Sequence, residues 1–387
     1  TKTVWLHADE TVAAPPANLQ LGIRAYRPLS NGGGVHNNIL RGMGGRLDLV
    51  PSGQEAYIRY NGDDDDKDGI DDHKDPDVRL EDDLIPIQLD FGTQVKPDGV
   101  RYYEISKNND NVRVWNGGPA KLSGPGGYRI LLDKGENSAP LFFPMQQGAA
   151  ANGNIRLWVE WIAPPTEAAN NNSTVITFTA RDAQGQVIGQ PAQLTFRAYT
   201  SMVVVFGGKG QMPEEYFKYA SNYGTYRLAL DLYREHGYDV YAYLPNPGSS
   251  AALEEIRIAS QKRGVRSLGI IGYSWGGGLT YELSTELVSL QRDGRLPLAF
   301  DVDLTAYIDA VRFKRASPEE RPPLWTRYHM NFYQVSLTDL HGARMQGPGP
   351  YEELNLTGLH DHYTIDDEAR LVHSRIKERL STYVRRP

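Results

Sequence analysis

The chain has 387 residues, 40% hydrophobic and 23% charged, a core-forming composition that excludes disorder and collagen-like structure. That length exceeds one ordinary domain and suits two. No cysteine is present, which excludes disulfides, thiolate zinc sites, iron–sulfur clusters and a cysteine nucleophile. No apolar run approaches the ~18 residues a membrane span needs. The net charge of −7 is uneven: residues 63–83 hold twelve acids against Lys67, Lys74 and Arg79, leaving the rest near neutral. Without a basic stripe, nucleic acid is not an expected partner. The opening TKTVW has neither Met nor a leader pattern, which reads as export processing or trimming.

Up to about Tyr199 the sequence predicts β-structure. Runs at 56–60, 85–91, 111–115, 128–132, 155–162, 175–179 and 193–199 alternate apolar and polar residues. They are rich in Val, Ile, Tyr, Trp and Thr, as half-exposed strands require. Turn clusters such as Asn31-Gly-Gly-Gly and Asp182-Ala-Gln-Gly separate them. Short strands without a helical period predict antiparallel β-sandwich structure, one sandwich or two, over residues 1–199. The polar stretch 163–173 predicts a long hairpin loop, because strand pattern resumes on both sides.

Inside this half, residues 61–83 form an acidic loop. Counted from Asp64, oxygen donors fall at positions 1, 3, 5, 9 and 12 as Asp64, Asp66, Asp68, Asp72 and Asp75. Gly69 then permits the turn at position 6, and Ile70 offers its carbonyl at 7. Asn61, Asp63, Asp82 and Asp83 are further candidate ligands. Acids this dense repel one another unless a cation neutralises them; the plain alternative is a solvated acidic loop. With Asp at the last position and no flanking helices, the segment resembles the calcium loops of thrombospondin type 3 repeats, dockerins and bacterial surface proteins. That resemblance implies a structural calcium ion and an extracytoplasmic setting.

After Thr200 the period changes. Apolar strands are predicted at 201–206, 239–244, 265–272, 300–308, 328–335 and 352–356. Helices are predicted at 223–236, 250–263 and 276–292, with a last one from Thr364 to about Tyr383. Such alternation predicts a mostly parallel sheet covered on both faces over residues 200–387.

The sharpest motif is Gly272-Tyr273-Ser274-Trp275-Gly276, directly after one strand and before one helix. A serine at so tight a turn has strained backbone angles, and the residues two before and two after it nearly touch. Glycine at both places removes the clash and lifts the hydroxyl clear of the sheet. The N–H of Trp275, at a helix start, is aimed where an oxyanion would form.

This stretch resembles the α/β-hydrolase superfamily, over residues 201–387. The resemblance implies a nucleophile, an acid and a histidine in that chain order. Ser274 is then the nucleophile. Asp309, at the tip of a later strand, is the acid, with Asp339 as its rival in the next loop. Either His362 or His360, before the last helix, is the histidine, and His341 is a further loop residue near the site. The loop Phe206-Gly207-Gly208-Lys209-Gly210 would supply the second oxyanion amide, from Gly207, Gly208 or Lys209. No phosphate-binding glycine motif is completed there, so no organic cofactor is expected.

These features together predict a secreted serine hydrolase of carboxylic esters, lipase- or esterase-like, acting on a lipid or polymeric ester through an acyl-enzyme. Thioesterase and peptidase chemistry would use the same triad. The competing class is a calcium-stabilised surface, adhesion or polymer-binding protein with a non-catalytic hydrolase half. Residues 312–325 are the one stretch long and polar enough to act as a cover.

Overall fold

The computed structural model describes residues 22–26, 49–50, 55–64, 67–75, 84–90, 102–116, 130–131, 141–144, 155–210, 224–235, 237–245, 248–311, 320–336, 340–367 and 369–385. Among the described residues, eleven strands precede residue 200: β1 (Gly22–Tyr26), β2 (Leu49–Val50), β3 (Glu55–Ile58), β4 (Ile85–Asp90), β5 (Tyr102–Lys107), β6 (Val112–Asn116), β7 (Ile130–Leu131), β8 (Leu141–Pro144), β9 (Ile155–Trp161), β10 (Ser173–Arg181) and β11 (Val187–Ala198). They form two sheets, ordered β2-β1-β4-β9-β6-β7 and β3-β11-β10-β5-β8. Strand β10 shows the alternation that a half-exposed strand needs: Ile176, Phe178 and Ala180 are buried and the residues between them are not. Ile87, Val114 and Val159 of the first sheet share one buried cluster with Ile105, Phe178 and Phe196 of the second.

Two expectations change here. The pairing of β3 with β11 is parallel, so the second sheet is mixed. The stretch 163–173 does not close a hairpin, because β9 pairs with β4 and β6 while β10 pairs with β11 and β5. It crosses between sheets, and Asn172 holds it, accepting from Thr166 N at 2.8 Å and donating to Thr166 O at 2.8 Å. Alternation on both sides of a loop reports two strands, not their pairing.

From Ser201 onward six strands form one parallel sheet, ordered β13-β12-β14-β15-β16-β17. These are β12 (Ser201–Phe206), β13 (Asp239–Tyr243), β14 (Ser267–Tyr273), β15 (Asp301–Ile308), β16 (His329–Tyr333) and β17 (Tyr351–Asn355). The helices are α1 (Gly224–Glu235), α2 (Ser250–Gln261), α3 (Trp275–Arg292), α4 (Thr364–Asp367) and α5 (Arg370–Tyr383). Every residue of β12, β13 and β14 is buried, as a parallel sheet with two covered faces demands. Val203 and Val205 pack with α1 and α5 on one face. Met202, Val204 and Phe206 pack with α2 and α3 on the other. A parallel sheet flanked by helices is what the resemblance implies for this half. The expected last helix is broken, since Ala369 takes ψ 72° and separates α4 from α5.

Polar side chains join the two halves. Arg59, just past β3, donates to both carboxylate oxygens of Asp239 at the start of β13, from Nε at 3.0 and 3.1 Å and from Nη2 at 2.8 Å. Both residues are buried, so water screens neither charge. Nearby, Arg263 donates to Glu255 and to the Tyr241 hydroxyl and lies 3.7 Å from Asp63 of the acidic loop. Lys262 donates to Asp71 at 2.9 Å. Hydrogen bonds from Lys74 and Lys262 hold the Asp71 carboxyl down to about 2. Replacing Arg59 by Leu strands the Asp239 charge in the interior, and we expect it to cost about 3–5 kcal/mol. The urea unfolding midpoint measures this, and a midpoint equal to the parent's would contradict it.

Candidate active site

Strand β14 runs straight into α3 through Ser274, whose φ of 54° and ψ of −119° lie outside every favoured region for a side-chain-bearing residue. Two glycines make the turn sterically feasible. A Cβ on Gly272 would lie 2.1 Å from Gly276 O, and one on Gly276 would lie 2.5 Å from Phe206 O. The turn is pinned by Ser274 N donating to Ile308 O at 3.0 Å and by Val311 N donating to Ser274 O at 2.9 Å.

The hydroxyl so presented meets an imidazole. His362 Nε2 lies 2.9 Å from Ser274 Oγ, and His362 Nδ1 lies 2.7 Å from Asp309 Oδ2. A carboxylate only accepts, so Nδ1 carries the proton and Nε2 accepts from the serine. Ser274, His362 and Asp309 are 7%, 4% and 0% exposed, so the relay is shielded from bulk water while the serine still borders the cleft.

Asp309 follows β15 directly and has a left-handed φ of 45°. Its Oδ1 accepts from Gln334 N at 3.0 Å and Gly342 N at 2.7 Å, and its Oδ2 also accepts from Gln334 Nε2 at 2.8 Å. Asp303 sits at the opposite edge of the sheet, bound by Ser267 and 3.5 Å from Arg327. Asp339 lies outside the described residues.

The imidazole is oriented from two sides. Tyr273 donates its hydroxyl to His362 O at 2.8 Å, and its ring stacks on the imidazole at 5.3 Å. Burial, with Asp366 next, pushes the Tyr273 phenol well above its ordinary value, so it remains a neutral donor. On the other side Asp361 caps the turn into α4. It accepts from Thr364 N at 2.8 Å, while Thr364 Oγ1 accepts from Asp361 N at 2.9 Å. The Thr364 backbone N–H holds the Asp361 carboxyl below its ordinary value. The cap is thus Asp361.

The other histidines stand elsewhere. His360 donates its backbone N–H to Leu356 O and lies in a bridge with Thr357, and its ring does not join the relay. His341 is exposed, and Leu340 rather than His341 lines the cleft. Burial pushes His329 down to about 3.

Beside Ser274 lies a cleft of about 390 Å³, lined by Gly208, Lys209, Trp275, Val311 and Tyr363 among others. Trp275 is the first residue of α3, where backbone N–H groups point out of the helix end. Gly208 faces the serine closely: a Cβ on it would lie 3.4 Å from Ser274 Cβ and 2.7 Å from Tyr273 Cε1. The Gly207 N–H donates to Tyr243 O at 3.1 Å, continuing the sheet, so Gly207 is removed from the candidate oxyanion donors. Lys209 is exposed, with Nζ 4.4 Å from the centre of the Trp275 ring.

In the acidic loop, Gly69 has a φ of +93°. Asp64 accepts from Asp68 N at 3.1 Å and Gly69 N at 3.0 Å, and Asp68 accepts from Ile70 N at 2.8 Å. Asp63, Asp72 and Asp75 are buried, whereas Asp68 and Ile70 are exposed. Asp66, Asp82 and Asp83 lie outside the described residues. Among the described residues no group of three or more His, Asp or Glu side chains is placed to hold a metal ion.

No family model and no curated protein matches the chain. Among solved structures it is similar to a predicted CIB-like hydrolase from Thermoplasma acidophilum, at 13% identity and a TM-score of 0.28, covering 54% of this chain and 94% of that one. So distant a likeness says nothing about chemistry, which is read from this chain's own side chains.

Gly272→Ala tests the turn, because its added carbon meets backbone that no rotamer change can move. We expect it to destabilise the protein by about 1–3 kcal/mol. A melting temperature identical to the parent's would contradict the contact.

Proposed function

We propose that this chain is a serine hydrolase of carboxylic esters. The observation that carries the reading is the unbroken line from Asp309 Oδ2 through His362 to Ser274 Oγ, with contacts of 2.7 and 2.9 Å. A hydroxyl is a weak nucleophile until a neighbouring base takes its proton. Here His362 Nε2 is that base. Ser274 Oγ attacks the acyl carbon as its proton passes to the imidazole, and the Asp309 carboxylate stabilises the imidazolium and holds its tautomer.

The negative charge that forms on the former carbonyl oxygen is met by the N–H of Trp275 and that of Gly208 or Lys209. Each such donor supplies about 3 kcal/mol of transition-state stabilisation. His362 then protonates the leaving alcohol. Water, activated by the same nitrogen, releases the acid from the acyl-enzyme. A cleft near 390 Å³ with the apolar side chains of Val311 and Leu340 in its wall suits an acyl group of modest size.

Ser274→Ala is expected to lower kcat/KM on short p-nitrophenyl esters by a factor on the order of a million and to abolish labelling by a fluorophosphonate. Parent protein that neither labels nor hydrolyses would return the chain to the calcium-stabilised adhesion or polymer-binding class. Thioester and peptide substrates run in parallel separate the reactions that share this triad.

In the N-terminal half we read the two sheets as a β-sandwich, supported by their shared buried cluster. We read its acidic loop as a structural calcium site on an exported protein. The donor chemistry fits: hard oxygens around a left-handed glycine, with Asp72 and Asp75 only 2% and 7% exposed. Asp64, Asp66, Asp68, Asp72, Asp75 and the Ile70 carbonyl would hold the ion, which supplies charge neutralisation and loop order. Millimolar calcium should raise the melting temperature and a chelator should lower it, while Asp72→Asn should shrink the difference. A melt indifferent to calcium would leave a solvated acidic loop.

A further inference from the structure

Gln334 follows β16 directly, is fully buried, and reaches both oxygens of Asp309, one by its backbone N–H and the other by its side-chain amide. Its amide cannot be turned round. Gln334 Oε1 accepts from Ser336 N at 2.7 Å, which leaves Nε2 to donate to Asp309 Oδ2 at 2.8 Å and to Leu340 O at 3.0 Å. A buried polar side chain with every group matched is fixed in one rotamer. It can therefore fix its neighbour.

We infer that Gln334 is a positioning residue that aims Asp309 Oδ2 at the imidazole; this rests on the Ser274–His362–Asp309 reading above. Asp309 has a rotatable carboxylate and a strained backbone φ of 45°, so its orientation is set by what binds it. Gln334 N and Gly342 N take Oδ1, and Gln334 Nε2 takes one side of Oδ2, which leaves the His362 Nδ1 proton the remaining side. The same donor spreads the negative charge of Asp309. Without it, Asp309 Oδ2 loses the donor that holds it in line with His362 Nδ1. Around His362 the other charged or titratable groups are Tyr273 against its ring, Tyr363 and Asp361 beside it in the chain, and Lys209, Asp366 and Asp367 in the cleft wall. None of these touches Gln334 in the hydrogen bonds just described.

The test uses the full chain with Gln334→Met and Gln334→Glu. Rates on a p-nitrophenyl ester are normalised to sites titrated with fluorophosphonate. Met keeps the length and loses all three side-chain hydrogen bonds. Its kcat should fall on the order of tenfold to a hundredfold with KM unchanged. Glu keeps the shape, and its protonated carboxyl can donate to Asp309 in place of the amide. That variant should lie close to the parent at low pH and fall below the Met variant as pH rises.

Variants whose normalised profiles superimpose on the parent's would overturn the inference, and so would failure of both to fold, since each points to packing alone. If only the Met variant fails to fold, the pH response of the Glu variant decides. A parent that neither labels nor hydrolyses defeats the underlying nucleophile reading, and the inference with it.

Discussion

Three lengths of backbone converge on Ser274 at distances that admit no side-chain carbon. Gly272 lies against Gly276 O, Gly276 against Phe206 O, and Gly208 against the ring of Tyr273. This close approach forces the serine into its positive φ, and the rest of the site depends on it. A relaxed turn would lower the hydroxyl back toward the sheet, move the start of α3 away from the cleft, and separate Gly208 from Ser274. The strain is held by a backbone hydrogen bond to the tip of β15 and by burial of β14 on both faces.

Parallel pairing then decides which residues can meet. All six strands end at the same edge, so whatever follows each strand is delivered there. Gly208 follows β12, Ser274 follows β14, Asp309 follows β15, Gln334 follows β16, and His362 lies in the loop after β17. The register aligns Tyr273 with Ile308 and Ile308 with Phe332, so Asp309 lies between the strand that leads to Ser274 and the strand that leads to Gln334. The acids at the other edge meet only structural partners, as Asp303 does with Ser267 and Arg327. The same carboxylate chemistry therefore stabilises at one edge and, on our reading, orients a base at the other.

The strands and helices after residue 200 were legible because the central parallel strands are mostly apolar and the intervening helices have a clear period. The turn at Ser274 was legible because its glycines are a steric necessity. Which histidine faces Ser274 was not, since His360 and His362 lie on the same short loop and only the Asp361 cap and the Tyr273 bond fix the turn between them. The Gly207 amide was misjudged because glycine permits a close approach without saying whether the N–H is already used by the sheet. Gln334 was missed for a related reason. A polar residue one step beyond an apolar strand, on the neighbour of the acid's strand, was the available signal. In the first half, alternation located strands but not their sheet, which is why the 163–173 crossing read as a hairpin.

The two halves meet through charge as well as shape. The acidic loop of the β half faces Lys262 and Arg263 at the end of α2, where cations also suit the negative end of the helix. Arg59 enters from the β half to satisfy Asp239 at the first residue of β13. An unpaired carboxylate there would be buried at the base of a strand that pairs with β12, and β12 carries Gly208 at its other end. The β half thus supplies the counter-charge that lets this edge of the parallel sheet begin where it does. An isolated C-terminal half would expose Asp239 to water and leave Arg263 without Asp63. The two parts are therefore interdependent, and any role of the β half in binding a substrate would be additional to that structural one.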